Sequence, residues 1–409
     1  MTMSSAELTS LIEDVTGLSA LGAPGIVFHA VDRNGNTINS TASGIRGLNN
    51  ANPMTMDTTF WIASCTKMIT SIALMQLVEQ DKADLDNPDQ LEKVLPELKE
   101  VKIIDGVDAD GKEQLREKKN RITLRMLQTH TAGFSYTFFN DKIWKRIGED
   151  PMRDEFQCVS DAFEQPLVFE PGTSRAYGIG IDWVGIFIER VSGVVLGDYF
   201  QKYIFDPLEI KNIAFVPNAN MRSTLASMHS RGDQGTLSAI NHLLRPARQA
   251  TGASIMHSGG GGLLGNAPEY CRVIAALLND GVSPTTSSRI LQKSTIDQMF
   301  TNQIPDWNEK WAAQGEAVCR PDLASIALRD GIPAAGNQGW GLNFLLMGDT
   351  LQRAEAPGLS NCFWALDREK GVGGMILSQI LPFGDPAVVG LWMKVQELMF
   401  QDKNGPTGI

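Results

Sequence analysis

Ser64 and Lys67 stand three residues apart in the stretch 60–69, FWIASCTKMI, inside an otherwise apolar context. On a helix, residues at i and i+3 lie about 5–6 Å apart at their β carbons, so hydroxyl and amine face the same way. At a helix start, exposed N–H groups and the positive end of the dipole stabilise negative charge developing on an oxygen. A lysine withdrawn from water holds its proton less tightly and can serve as a base toward the serine, which then attacks a carbonyl. The competing reading is structural, with Ser64 as a helix cap and Lys67 on the surface. Met68, Ile69, Ile72, Ala73, Leu74, Met75 and Leu77 make the next segment apolar almost all round, which marks a buried helix. No other serine in the chain has a lysine three residues on.

Tyr177 follows a Pro-Gly turn and precedes an apolar helix in PGTSRAYGIG. A tyrosine on a cleft rim can pass a proton between a serine oxygen and a leaving group when a nearby lysine lowers its pKa from about 10. Its structural alternative is a half-buried packing aromatic. His130, in THTAG, invites a Ser-His-Asp reading, but that chemistry needs a serine on a sharp elbow of the G-x-S-x-G kind. GTSRA, 172–176, departs from that pattern by one residue, so His130 reads as a structural histidine bonding the backbone where a helix ends. The run HSGGGGLL, 257–264, lacks the Gly-Lys-Ser/Thr ending of a phosphate loop and leads into a helix, so its glycines read as close backbone packing beside a cleft. The five histidines show no metal-ligand spacing, and neither a metal nor a cofactor is expected.

Positioning such a site requires a scaffold. Leu8, Leu11, Ile12, Val15 and Leu18 have helical spacing, and GIVFHAVDRNGNTINSTASG reads as a hairpin around an Asp-Arg-Asn-Gly-Asn turn. The other end mirrors it: NCFWALDREKGVGGMILSQIL is a second hairpin with its turn at 367–371, and 385–400 is a closing amphipathic helix. Short strands need a larger sheet, so both hairpins are expected in one antiparallel sheet flanked by the terminal helices. The expected fold is an α/β sandwich of residues 1–83 and 251–409, with a mostly helical insertion domain at 84–250. DGVDADGKEQLREKKNRIT is expected as an exposed hairpin or loop within that insertion, and the cleft between the two units is the default site.

The 409 residues, 43% hydrophobic and 20% charged, have an ordinary globular composition. A net charge of −11 disfavours nucleic acid or an anionic membrane as partner. Cys65, Cys158, Cys271, Cys319 and Cys362 are odd in number and widely spread, which fits reduced thiols better than disulfides. The first residues lack the basic and apolar regions of a secretory signal, and no apolar run approaches the roughly 20 residues of a membrane span. A cytoplasmic protein is the expectation.

IASCTK, ITLRMLQTHTAGFSY and PGTSRAYGIGIDWVGIFIERVSG, in this order and spacing, resemble the serine β-lactamase-like family: class C β-lactamases, DD-peptidases and related esterases. Within it the chain resembles the fungal transesterase of statin biosynthesis, an acyltransferase. The resemblance implies a β-lactamase/transpeptidase-like fold, with Ser64 as nucleophile, Lys67 as base and Tyr177 as the second-motif tyrosine. It implies an oxyanion hole from the backbone N–H groups of Ser64 and Leu359, and a pocket with Tyr136, Gly358, Trp364 and Phe383. Ile179 replaces the Asn usual two residues after the tyrosine, S-D-N and K-T-G are absent, and APGLSNCFW carries no cation where the third motif should open, all of which points away from β-lactam hydrolysis. The expected function is acyl transfer through Ser64 to a small-molecule alcohol in secondary metabolism, the donor being a small molecule or an acyl-carrier protein. A carboxylesterase or lactone hydrolase on the same residues, and a non-acyl binding or isomerising protein on the same fold, remain as alternatives.

Overall fold

The terminal hairpins join side by side because the strand 25–32, GIVFHAVD, is apolar on both faces and must be covered on both. In the computed structural model, which describes residues 5–16, 22–148, 153–248, 255–307, 317–325 and 337–401, one eight-stranded sheet holds both hairpins. Its strands are β1 (Gly25–Asp32), β2 (Thr37–Gly47), β3 (Asn50–Pro53), β4 (Gln338–Trp340), β5 (Leu345–Met347), β6 (Arg353–Gly358), β7 (Cys362–Asp367) and β8 (Val372–Leu377). The spatial order is β4-β5-β6-β7-β8-β1-β2-β3, antiparallel throughout. Val27 pairs with Leu377 and Asp32 with Val372, so the first strand of the chain closes against the last of the sheet.

Helices α1 (Ser5–Thr16), α2 (Thr66–Glu79), α3 (Leu124–Gln128), α4 (Gly180–Ser192), α5 (Ala267–Leu278) and α6 (Pro386–Met399) supply the covers and the site. Alternation along β1 sends Ile26, Phe28 and Ala30 to one face, where they pack with Leu8 and Ile12 of α1 and Leu391, Trp392 and Val395 of α6. Val27 and Val31 face the larger core, which contains α2 and Cys271 and Ile274 of α5. Asp385 caps α6, accepting from the N–H groups of Ala387 and Val388, and Pro386 fits its first turn.

All eight strands derive from residues 25–53 and 338–377, and the residues between carry most of the remaining helices. The charged segment forms an antiparallel hairpin, Ile103–Val107 with Glu113–Arg116, as expected. Strands β4 to β6 were not foreseen. Among the described residues no helix is long and apolar enough to cross a membrane.

Candidate active site

Ser64 lies in a 3-10 turn, Ala63–Cys65, directly before α2. Ala63 has φ +44°, a left-handed conformation that costs a residue with a β carbon and persists only where the surroundings enforce it. Ser64 does not cap the helix: the cap position is Cys65, with no side-chain bond, and Lys67 is 2% exposed rather than a surface residue. The structural reading of this pair therefore fails. Lys67 Nζ lies 3.0 Å from Ser64 Oγ, 2.7 Å from the Tyr136 hydroxyl and 2.5 Å from the Gly260 carbonyl.

Burial lowers the Lys67 pKa to about 7, with the Asp182 carboxylate as the chief opposing influence. A neutral amine has two N–H donors and one lone pair. The Gly260 carbonyl only accepts and takes one N–H, while the Tyr136 and Ser64 hydroxyls share the second N–H and the lone pair. The amine is thereby held within reach of the Ser64 proton, the placement a base needs.

The glycine run and α4 hold this arrangement. Asp182, 1% exposed, accepts from Ser258 Oγ at 2.5 Å and from the Gly260 N–H at 3.0 Å. Burial pushes its carboxyl up and Lys67 pulls it back. A β carbon on Gly260 would stand 2.3 Å from Asp182 Oδ2, so only glycine lets the backbone reach the amine while touching the carboxylate. Gly259 accepts from Thr70 Oγ1 of α2, and Gly261 accepts from Trp61 Nε1. Close backbone packing beside the cleft is what these glycines do.

The tyrosine hydroxyl bonded to Lys67 belongs to Tyr136, whose pKa burial raises well above its usual value. Tyr177 stands just before α4 with Lys67 Nζ 4.7 Å over its ring centroid, and its ring lies 5.6 Å from that of Tyr136. His130 follows α3 and packs 4.4 Å from the Tyr177 ring. Its Nδ1 accepts from the Gly178 N–H at 3.4 Å, which places the proton on Nε2 facing Asn343 Oδ1 at 3.2 Å. His130 is thus the backbone-bonding histidine expected, and burial keeps its pKa well below the usual range.

A cleft of about 370 Å³, open solvent included, is lined by Ser64, Tyr136 and Leu359 together with an aromatic wall of Trp61, Phe138 and Phe156. The end of β6 reaches the nucleophile turn: a β carbon on Gly358 would stand 2.7 Å from the Ile62 carbonyl and 3.3 Å from Ala63 Cβ. Ser360 Oγ donates to the Trp61 carbonyl at 3.0 Å, tying the β6–β7 turn to the same segment. Ser64, Lys67, Tyr136, Tyr177, Gly358 and Leu359 are therefore brought together.

Two expected pocket residues lie elsewhere. Trp364 is 1% exposed on β7 and packs edge-on against Phe344 in the core. Phe383 packs against Phe363, and neither residue is among those lining this cleft. Both are aromatic residues near the third-motif strand in sequence, but their side chains serve packing there. Conversely, Asp182, Glu155 and Ser258 line the cleft unforeseen. The first stands in the first turn of the apolar helix α4, where an acidic residue facing the core was the only available signal.

The five cysteines are free thiols, and no cluster of His, Cys, Asp and Glu that could hold a metal occurs among the described residues. Residues 11–393 match the Beta-lactamase family. The chain is 31% identical to an acyltransferase, calJ, of Penicillium decumbens, over 88% of this chain and 86% of that protein. It is 30% identical to a lovastatin esterase of Penicillium rubens, over 88% and 89%. A mutant of simvastatin synthase from Aspergillus terreus superposes with a TM-score of 0.80 at 26% identity, covering 96% of each chain.

Proposed function

The chain belongs to the beta-lactamase family, and from that premise we propose that Ser64 is its acylated nucleophile, Lys67 its base and Tyr177 the carrier of a proton to the leaving group. The enzyme is an acyltransferase or esterase of that family and acts by serine acyl transfer. The observation that supports the residue assignment is the buried Lys67 amine held by Gly260 and Tyr136 within 3.0 Å of Ser64 Oγ. Ser64 Oγ attacks the donor carbonyl as its proton passes to Lys67. The tetrahedral oxyanion rests on the N–H groups of Ser64 and Leu359. Collapse breaks the bond to the alcohol or thiol, which leaves with the proton that Lys67 took from Ser64. An acceptor alcohol then attacks the acyl-enzyme by the reverse proton path and leaves as the ester.

We take the acceptor to be a small-molecule alcohol of secondary metabolism, a reading supported by the relatives' names. The donor is an ester or thioester, free or presented on an acyl-carrier protein, as the resemblance to the statin transesterase suggests. We also take residues 1–83 with 251–409 as the sandwich unit and 84–250 as the insertion, supported by the origin of all eight strands outside the insertion. A cytoplasmic setting belongs to the same proposal. Partition of a preformed acyl-enzyme between water and a series of alcohols tests the transferase reading. Ester product rising with alcohol at the expense of free acid is expected; free acid alone, whatever the alcohol, would make the enzyme a hydrolase.

A further inference from the structure

Glu155 is the one cleft-lining group that the acyl-transfer chemistry leaves unused while carrying an ionisable carboxyl next to an aromatic wall. It is 7% exposed, and the Thr137 hydroxyl stands 3.1 Å from Oε1 and 2.9 Å from Oε2. Phe156 beside it meets Trp61 edge-on at 5.9 Å and stacks with Phe138 at 6.0 Å, and Phe138 stacks with Tyr136 at 5.1 Å. The cleft therefore runs from Ser64 along an aromatic surface to a buried carboxyl. Among the described residues its lining holds two acidic side chains, Glu155 and Asp182, and no arginine, lysine or histidine. Lys67 lies behind Ser64 and Tyr136 with its bonds to Gly260 and Tyr136 made.

We propose that Glu155 sets the charge selectivity of the cleft, admitting a substrate whose end is an uncharged hydroxyl, carbonyl or alkyl group and turning away one that carries a carboxylate there. The inference rests on Ser64 as the acylated residue and names the class of substrate that site takes. A second carboxylate in this enclosure would lose its water without gaining a cation, and it would lie near Glu155 and Asp182. An uncharged polar group loses little and finds the carboxyl as donor or acceptor.

The selectivity is expected to sharpen with pH. Burial pushes the Glu155 carboxyl up to about 8, so it is mostly protonated at neutral pH and ionises above. The charged and titratable groups that act with it are Asp154 on its own turn, Lys67 of α2, Tyr136 and Arg320, the last engaged by Asp322. The Thr137 hydroxyl favours its ionised form.

The test compares p-nitrophenyl hexanoate with the p-nitrophenyl monoester of adipic acid, in which a carboxylate replaces the terminal methyl. In the wild type, the kcat/KM ratio favouring hexanoate should climb on the order of tenfold through about pH 8, as two like charges come to share a poorly screened cleft. Glu155→Gln should lose this climb, keeping only the part near pH 7 that Lys67 contributes in both proteins. Thr137→Val should move the climb to higher pH. A flat wild-type ratio through about pH 8, or an undiminished climb in Glu155→Gln, would overturn the proposal. Nitrophenolate release from hexanoate by Ser64→Ala reports Ser64 separately: its loss is expected, its persistence would undo the nucleophile assignment, and a loss of release in Glu155→Gln leaves the wild-type and Thr137→Val profiles to decide.

Discussion

At Lys67 two demands conflict. The amine must be near enough to Ser64 to take its proton, and it must be unprotonated when it does so. Burial meets the second by lowering the pKa to about 7, while Asp182 keeps it from falling further. Acylation measured as kcat/KM is therefore expected to rise through about pH 7 as Lys67 loses its proton. Lys67→Arg keeps the charge at every accessible pH and should cost about 10²–10⁴-fold, abolishing this limb. Asp182→Asn removes the anion that favours the protonated amine, so the limb should move to lower pH; a limb that stays in place would show that Asp182 does not tune the base. The Ser64 and Lys67 pair was legible because one helical turn joins them, whereas the tyrosine hydroxyl that reaches Lys67 is that of Tyr136, 69 residues on. Asp182 and Glu155 were not legible, since their partners lie 18 to 78 residues away: Ser258 and Gly260 for the one, Thr137 for the other.

Among the elements, the glycine run bears most directly on chemistry. Gly260 places its carbonyl on Lys67 and its N–H on Asp182, and the added β carbon of Gly260→Ala would collide with the carboxylate at 2.3 Å. Either Asp182 or the run must move, and both movements spoil the orientation of the amine. Gly260→Ala is expected to lower acylation by about tenfold or more and stability by about 1–3 kcal/mol, measured by burst kinetics and thermal unfolding. Unchanged kinetics would show the run to be a packing element only. The hairpins that form β1–β2 and β7–β8 were readable from their alternation and turn residues. Strands β4 and β5 are three residues each, too short to show a period, and β6 carries Pro357, which reads as a strand breaker. β6 pairs along β7, β5 along β6 and β4 along β5, a tertiary arrangement that no local pattern carries.

At the scale of the whole molecule, the chain's two ends build one sheet and thereby bring distant segments to one cleft. Residues near 61–67, 136–156, 182, 258–261 and 359 meet there. The sheet was legible because each terminal hairpin alone leaves an apolar face uncovered, and α1 with α6 covers the face that both share. The cleft's chemistry was legible only where a segment contributes more than one functional residue. The central claim is that Ser64 carries the acyl group, and intact-protein mass after brief exposure to p-nitrophenyl hexanoate tests it most directly. A single acyl adduct is expected on the wild type and on Ser174→Ala, with none on Ser64→Ala and little on Lys67→Ala. An adduct that persists on Ser64→Ala, or one lost on Ser174→Ala alone, would contradict the account.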